Sequence, residues 1–300
     1  MLLKIAGALL LAVALVAVLL VAVMRHSAKP AVMPGASSID AYRGLGCWVS
    51  IYDKRAWADP EGAVADMAGH GVRTLFIQTG NSNSTGVVYR PDEQARFVVA
   101  AHARGLKIVA WYLPEMVDLV HDYDRIAAAL ALRTVDGQSF DSFALDIEST
   151  KIKDIELRNQ AFAALTARLR RLVGASYTLG GIVPSPVGIA KATGFWNDFP
   201  YGEVAKSYDV LLPMEYYTYR GKGASSVSTD VVSAMRILRA VPGCAKVPVH
   251  LIGGLAAKTT APEVAAFAKG SLATGCIGAS LYSWSGTGAS EWESLGLLAR

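Results

Sequence analysis

Eight short apolar runs, separated by segments of helical character, constrain this chain more than any other feature. The runs cover residues 46–52, 72–78, 106–112, 143–147, 177–183, 210–214, 247–252 and 278–282. They are bounded by turn residues and are too short for helices, so each reads as a buried strand. The stretches 60–68, 91–104, 123–132 and 154–173 read as helices between them. The first opens with Asp59-Pro60, a capping residue followed by proline in the first turn. The last carries Leu157, Phe162, Leu165, Leu169 and Leu172 at helical spacing. Shorter helical segments lie around 202–206, 229–240, 261–273 and 291–298. Three helices hand over to a strand through glycine, in His70-Gly71-Val72, Arg104-Gly105-Leu106 and Thr274-Gly275-Cys276, the residue favoured just past a helix end. This alternation predicts an α/β fold, a (β/α)8 TIM barrel over residues 42–300. A doubly wound open sheet is the alternative. The first run lacks a Gly-x-Gly-x-x-Gly turn, which argues against a dinucleotide-binding version.

In such a barrel the active site lies where the strands end. The fourth run sits in Asp141-Ser142-Phe143-Ala144-Leu145-Asp146-Ile147-Glu148. Residues two apart on a strand share a face, so Asp146 and Glu148 point the same way, roughly 7 Å apart along the backbone. Two like charges repel, and burial raises a carboxyl pKa, which is what a general acid at neutral pH requires. A solvated strand cap is the plainer alternative. The other strand ends supply Asp53, Gln78, Tyr112, Glu215, Tyr216, Tyr282 and Trp284. A rim of acids, amides and aromatic rings suits a carbohydrate. Each ring could equally be a core aromatic. Glu215 has the opposite strand parity to Tyr216 and so ranks below Glu148. His250 lies mid-strand and reads as a hydrogen-bonded core histidine, and His102 reads as structural on an outer helix.

Several classes of function find no support. There is no His/Cys/Asp cluster with metal-ligand spacing, no phosphate loop and no Gly-x-Ser-x-Gly elbow, so neither a metal nor a cofactor is expected. The formal net charge is +4 with no basic cluster interleaved with aromatics, which gives no case for nucleic acid. A monomer is expected.

Residues 5–24 form an uncharged apolar run, long enough to cross a bilayer, which takes about 20 residues. Residues 1–26 are therefore expected to be a signal anchor, with 27–41 as a Pro-, Ala- and Ser-rich linker and the barrel outside the cytoplasm. A cleaved signal peptide and a secreted barrel form the alternative. In an oxidising compartment one disulfide is plausible. Cys244 and Cys276 each precede a predicted strand, on one rim of a barrel, and are expected to pair, leaving Cys47 buried.

The chain resembles the glycoside hydrolase superfamily of barrels, above all the chitinase-type family 18, whose fourth strand carries Asp-Gly-x-Asp-x-Asp-x-Glu. Asp141, Asp146 and Glu148 match; Ala144 stands for the second aspartate and Ser142 for the glycine. At strand six the family's Met-x-Tyr is matched by Met214-Glu215-Tyr216, with Tyr217 in place of the following acid. At strand eight Tyr282 stands where the family has tryptophan, with Trp284 close by. The lysozyme-like family 25 barrels also carry an Asp-x-Glu strand, and the whole pattern resembles exported glycosidase-like proteins of actinobacteria. The resemblance implies that Glu148 protonates the leaving oxygen, while Asp146 orients a substrate acetamido group and Tyr216 hydrogen-bonds to it. It implies a membrane-anchored glycosidase acting on a polysaccharide. The missing second aspartate keeps open a catalytically silent barrel that binds glycan or a partner protein.

Overall fold

The computed structural model describes residues 37–191 and 194–299. Eight parallel strands close into a barrel in sequence order. They are β1 (Gly44–Val49), β2 (Thr74–Gly80), β3 (Lys107–Tyr112), β4 (Ser142–Asp146), β5 (Leu179–Pro184), β6 (Val210–Met214), β7 (His250–Leu255) and β8 (Gly278–Tyr282). The helices follow their strands. After β1 come α1 (Lys54–Ala58) and α2 (Pro60–Gly69), then α3 (Pro91–Ala103) after β2, α4 (Leu119–Ala131) after β3 and α5 (Ile155–Val173) after β4. The two short helices α6 (Pro186–Lys191) and α7 (Tyr201–Ser207) follow β5. Last come α8 (Ala224–Ala240), α9 (Ala261–Ala273) and α10 (Ala289–Leu295). The predicted handover glycines Gly71, Gly105 and Gly275 all sit at positive φ, between 72° and 78°, which only glycine adopts without strain.

Strand parity divides the core in two. Outward residues such as Leu45, Ile108, Leu145 and Leu211 pack with the helices. Inward residues such as Trp48, Phe76, Trp111, Ala144 and Leu212 fill the barrel. Both faces of every strand are buried, as a parallel sheet covered by helices requires.

The lower end of the barrel is plugged. A 3-10 turn (Ile39–Tyr42) inserts Tyr42, whose hydroxyl donates to the Phe143 carbonyl at 3.0 Å. His250 lies beside it and is fully buried. Its Nδ1 meets the Tyr42 carbonyl at 2.8 Å and must donate there, so Nε2 accepts from Ser280 Oγ at 3.0 Å. Burial lowers the His250 pKa to about 4, consistent with that neutral, fixed tautomer. Gly278 makes room for both, since a Cβ there would stand 2.4 Å from His250 Nδ1 and 2.5 Å from the Tyr42 carbonyl.

The linker expectation needs adjustment. Residues 37–41 belong to the barrel: Ser37 Oγ accepts from the Thr178 N–H at 2.5 Å, and Ala41 is buried with Tyr42. The expected membrane helix at residues 5–24 lies outside the described residues; among those described, no helix is long and apolar enough to cross a membrane.

The expected disulfide is not formed. All three cysteines are free. The Cys244 thiol donates to the Tyr201 carbonyl at 3.5 Å, whereas Cys276 Sγ packs 3.8 Å from Met235 Sδ. The two sulfurs occupy separate packing sites, one towards α7 and the other towards α8. Cys47 is buried on the outer face of β1, as expected.

Candidate active site

The site is built where β4, β5, β6 and β8 end. On β4 the outward Phe143 and Leu145 alternate with the inward Ala144, so Asp146 and Glu148 continue the inward face. Pairing with β5 extends past the strand, the Ile147 N–H donating to the Ile182 carbonyl at 2.8 Å. This holds both carboxylates in strand register.

Neither carboxylate has a hydrogen-bond partner among the described residues, and Asp146 Oδ1 is buried and unpaired. Burial, and after it the charge of Glu148, holds Asp146 well above the usual carboxylate range. Burial likewise raises Glu148. The pair therefore keeps a proton at a pH where isolated carboxyls have lost theirs. Glu148 lines a cleft of about 350 Å³, within the size range of small-ligand sites. Asp146 sits beneath it, 5% exposed.

A chain of aromatic rings runs from the barrel interior to Tyr216 and Tyr219, which line the cleft. Trp48 stacks on Phe76 at 4.3 Å between centroids and meets Trp111 edge-on at 5.7 Å. Tyr282 lies 6.4 Å from Trp48 and 6.2 Å from Tyr216, and Tyr219 continues the series 6.1 Å beyond. Tyr216 adopts a left-handed backbone, φ 30° and ψ 53°, an uncommon conformation for a bulky residue and of the kind that gathers at functional sites. Burial first, and Asp146 second, push its hydroxyl well above the ordinary tyrosine range. Burial raises Tyr282 too. Both therefore remain neutral and able to donate.

The expected residues thus divide. The structure brings Asp146, Glu148, Tyr216 and Tyr282 together. Tyr112 is a correction: it faces the helices, where its hydroxyl donates to Asp122 Oδ1 at 2.7 Å. The inward residue is its neighbour Trp111, whose Nε1 is buried without a partner. Trp284 is a second correction. Its Nε1 donates to Asp66 Oδ2 at 2.8 Å on α2, and the Arg55 guanidinium covers its ring at 4.0 Å, so it belongs to the outer layer. Glu215, as its parity warned, points away from the cleft. It pairs closely with Arg220 and accepts from Ser185 Oγ at 2.7 Å. Burial outweighs both partners and raises it to about 7.

Gln78 and Asp53 hold the rim rather than the cleft. Gln78 Oε1 accepts from the Ile51 N–H at 3.0 Å, tying the end of β2 to the turn after β1. Asp53 caps α1, its Oδ1 accepting from the Ala56 N–H at 3.3 Å, while Oδ2 is buried and unpaired. Sequence reading missed Trp48, Trp111, Tyr219, Lys191 and Arg220. Parity with the inward Gly46 and Val109 would have found the two tryptophans. Lys191 and Arg220 lie beyond strand ends, where no periodicity points to them. No group of His, Cys, Asp and Glu among the described residues could hold a metal ion.

No protein-family model matches the chain, and no curated protein matches its sequence. Solved structures do share its architecture. The endo-β-1,4-mannanase of Thermotoga petrophila is 9% identical, with TM-score 0.62 over 81% of this chain and 68% of that one. A class V chitinase from Cycas revoluta is 10% identical, with TM-score 0.59 over 84% of this chain and 98% of that one. The spore cortex-lytic enzyme SleL of Bacillus cereus is 12% identical, with TM-score 0.58 over 85% and 74% respectively. At such identities the common property is the fold, and the chain is accordingly similar in architecture to the TIM-barrel glycoside hydrolases.

Proposed function

We propose that this protein hydrolyses a glycan in the cleft at the C-terminal rim, with Glu148 as the proton donor. The observation that supports the reading is the Asp146/Glu148 pair. Both carboxyls lack hydrogen-bond partners among the described residues, and Glu148 opens to a cleft that Tyr216 and Tyr219 also line. A carboxyl whose pKa is raised by burial keeps its proton to a higher pH than a free one and can deliver it as the glycosidic bond breaks.

Glu148 is the single carboxylate among the described residues lining the cleft. Asp146 lies below it, too enclosed to attack an anomeric carbon. That favours attack by an acetamido oxygen of the substrate itself, the substrate-assisted exception to two-carboxylate hydrolysis. Glu148 protonates the leaving oxygen while the acetamido oxygen bonds to the anomeric carbon, forming an oxazolinium ring. Glu148, now a carboxylate, takes a proton from water, and the water oxygen opens the ring. Asp146 accepts the acetamido N–H, and its proximity to Glu148 keeps a proton within the pair. The Tyr216 hydroxyl donates to the acetamido oxygen, as the family resemblance implies.

Glu148→Gln is expected to lower turnover by about 10²–10⁴-fold, the usual contribution of a positioned general acid, with a melting temperature at pH 8 no lower than the parent's, because the carboxyl removed is one whose pKa burial raises. Hydrolysis at the parent rate by this variant would sink the assignment. Binding of glycans by the parent with no sugar released from a broad panel would favour the silent barrel.

The same proposal puts the barrel outside the cytoplasm, tethered by residues 5–24. Protease added to intact cells should then remove residues 41–300. Full protection of a cell-retained protein would reject the location, and a barrel recovered from the medium would show a cleaved signal.

A further inference from the structure

We propose that the glycan this cleft takes is an N-acetylated polymer bearing carboxylates, with one carboxylate seated against Arg220 and Lys191. The proposal rests on the hydrolytic reading above and adds the charge class of the substrate. Two cations and one carboxylate line the cleft, in walls that are otherwise mainly apolar. The carboxylate is Glu148, which burial pushes towards its neutral form.

Arg220 is held in one orientation. Its Nε donates to Asp230 Oδ2 at 2.8 Å, and its Nη2 donates to both the carboxylate and the backbone carbonyl of Glu215. Nη1 has no partner among the described residues. It lies near Gly188, where a Cβ would stand 3.9 Å away, so the glycine leaves the approach from the cleft open. A guanidinium fixed along two edges and open at the third is a preorganised carboxylate receptor. Glu215 and Asp230, both buried, can offset the whole of its charge. What Arg220 offers a ligand is therefore the open Nη1 donor edge, and the free positive charge of the cleft, among the described residues, is that of Lys191.

Lys191, the last residue of α6, is exposed, lines the same cleft and makes no ion pair among the described residues. At the rim, Lys258 Nζ lies 5.6 Å from the Tyr219 ring centroid and adds a third positive charge. A neutral polysaccharide offers the Nη1 edge only a hydroxyl or ether oxygen and leaves the charge of Lys191 to water. A carboxylate on a bound unit would meet both. The carboxyl could belong to a uronic acid or to a lactyl ether on the sugar, and the chemistry recognised is the same.

The test uses the full chain in detergent, carrying Glu148→Gln so that ligands bind without turnover. Titration calorimetry compares a hyaluronan tetrasaccharide, its carbodiimide-reduced neutral counterpart, a muramyl tetrasaccharide and chitotetraose. At least one carboxylated probe should bind about tenfold more tightly than the neutral ones, as charge-assisted hydrogen bonds allow. The preference should shrink severalfold between about 50 mM and 500 mM salt and vanish when Lys191→Glu is added. The larger preference, for the uronate or the lactyl probe, tells which carboxyl is read. Equal affinities, no binding of any probe, or a preference that survives Lys191→Glu overturns the proposal. Turnover of a neutral glycan that is lost in Glu148→Gln, with no charge preference, discards this inference and leaves the hydrolytic reading standing. A charge preference without turnover by the parent does the reverse.

Discussion

The two ends of β4 carry aspartates with opposite fates. Asp141, just before the strand, accepts from the Ile108 N–H and the Lys107 ammonium, each at 2.9 Å, and its Oδ2 also lies 2.9 Å from His102 Nε2. Burial works against its charge, but His102, Ile108 and Lys107 together hold its pKa below the usual carboxylate range. Asp146, at the other end, has no hydrogen-bond partner among the described residues and a neighbour of like charge, and its pKa is raised. A carboxylate with every partner supplied ties β3 to β4. One denied partners is costly to the fold and available to a ligand. The contrast separates structure from candidate chemistry along one strand, although the family motif matches both residues.

The sharpest way to break the comparison is to neutralise each end in turn. Asp146→Asn should lower kcat by about 10²-fold, within the range of acid–base contributions. Asp141→Asn should leave kcat per folded molecule unchanged. Stability should move the other way. Asp141→Asn should cost about 1.5–3 kcal/mol, the worth of hydrogen bonds to a charged group. Asp146→Asn should raise the melting temperature at pH 8. The sign follows from linkage: a carboxyl whose folded pKa is raised binds more protons folded than unfolded, so its cost grows as pH rises above about 3.9 and disappears below it. Thermal melts at pH 8 and pH 3.5 check both. A destabilised Asp146→Asn at pH 8 would mean that the residue is a structural acid after all.

This distinction was only half legible in the sequence. The strands were, because β6 and β8 match their apolar runs and the others shift by one to three residues. Their sides were harder to read. In a parallel barrel both faces of a strand are apolar, so alternation gives no contrast between inward and outward residues. Tyr112 was therefore chosen over Trp111, although the same parity rule that demoted Glu215 would have decided between them. The short helix α6 lacks a hydrophobic pattern long enough to be seen, and with it the neighbourhood of Lys191. The expected Cys244–Cys276 bridge failed because rim adjacency fixes where backbones run and not where thiols point.

A smaller effect sharpens the lower end of β4. The His102 pKa is raised, chiefly by its hydrogen bond to Asp141. Its contribution is complete below the unfolded value of about 6.5 and is lost as pH rises through the folded value. Asp141's contribution is present above about 3.9 and is lost as pH falls through its depressed folded value. The deficit of Asp141→Asn should thus be largest between about pH 4 and 6.5 and narrow on either side. His102 is partly exposed, so the alkaline narrowing should be below about 1 kcal/mol. A deficit that is flat from pH 3 to pH 9 would show that the ring does not couple to Asp141.

The smallest effect tests the same contrast one strand away, between the adjacent residues Tyr112 and Trp111. Tyr112 is satisfied: its hydroxyl bonds to Asp122, which also accepts from the Met116 N–H at 2.8 Å. Tyr112→Phe removes one hydrogen bond and leaves Asp122 its backbone partners, so it should cost about 1 kcal/mol. In a domain of this size that is about 2–4 °C of melting temperature, and KM should not move. Trp111 is unsatisfied, inward and packed edge-on against Trp48. Trp111→Phe removes the unpaired N–H but also some packing volume, so its stability should stay within about 1 kcal/mol of the parent. Its KM should rise severalfold, because the ring packs against Trp48, which leads through Tyr282 to Tyr216 in the cleft wall. Michaelis–Menten kinetics and thermal melts on the two variants decide the matter. A KM effect confined to Tyr112→Phe would reverse the inward and outward assignment of β3, and with it the link from the barrel interior to the cleft.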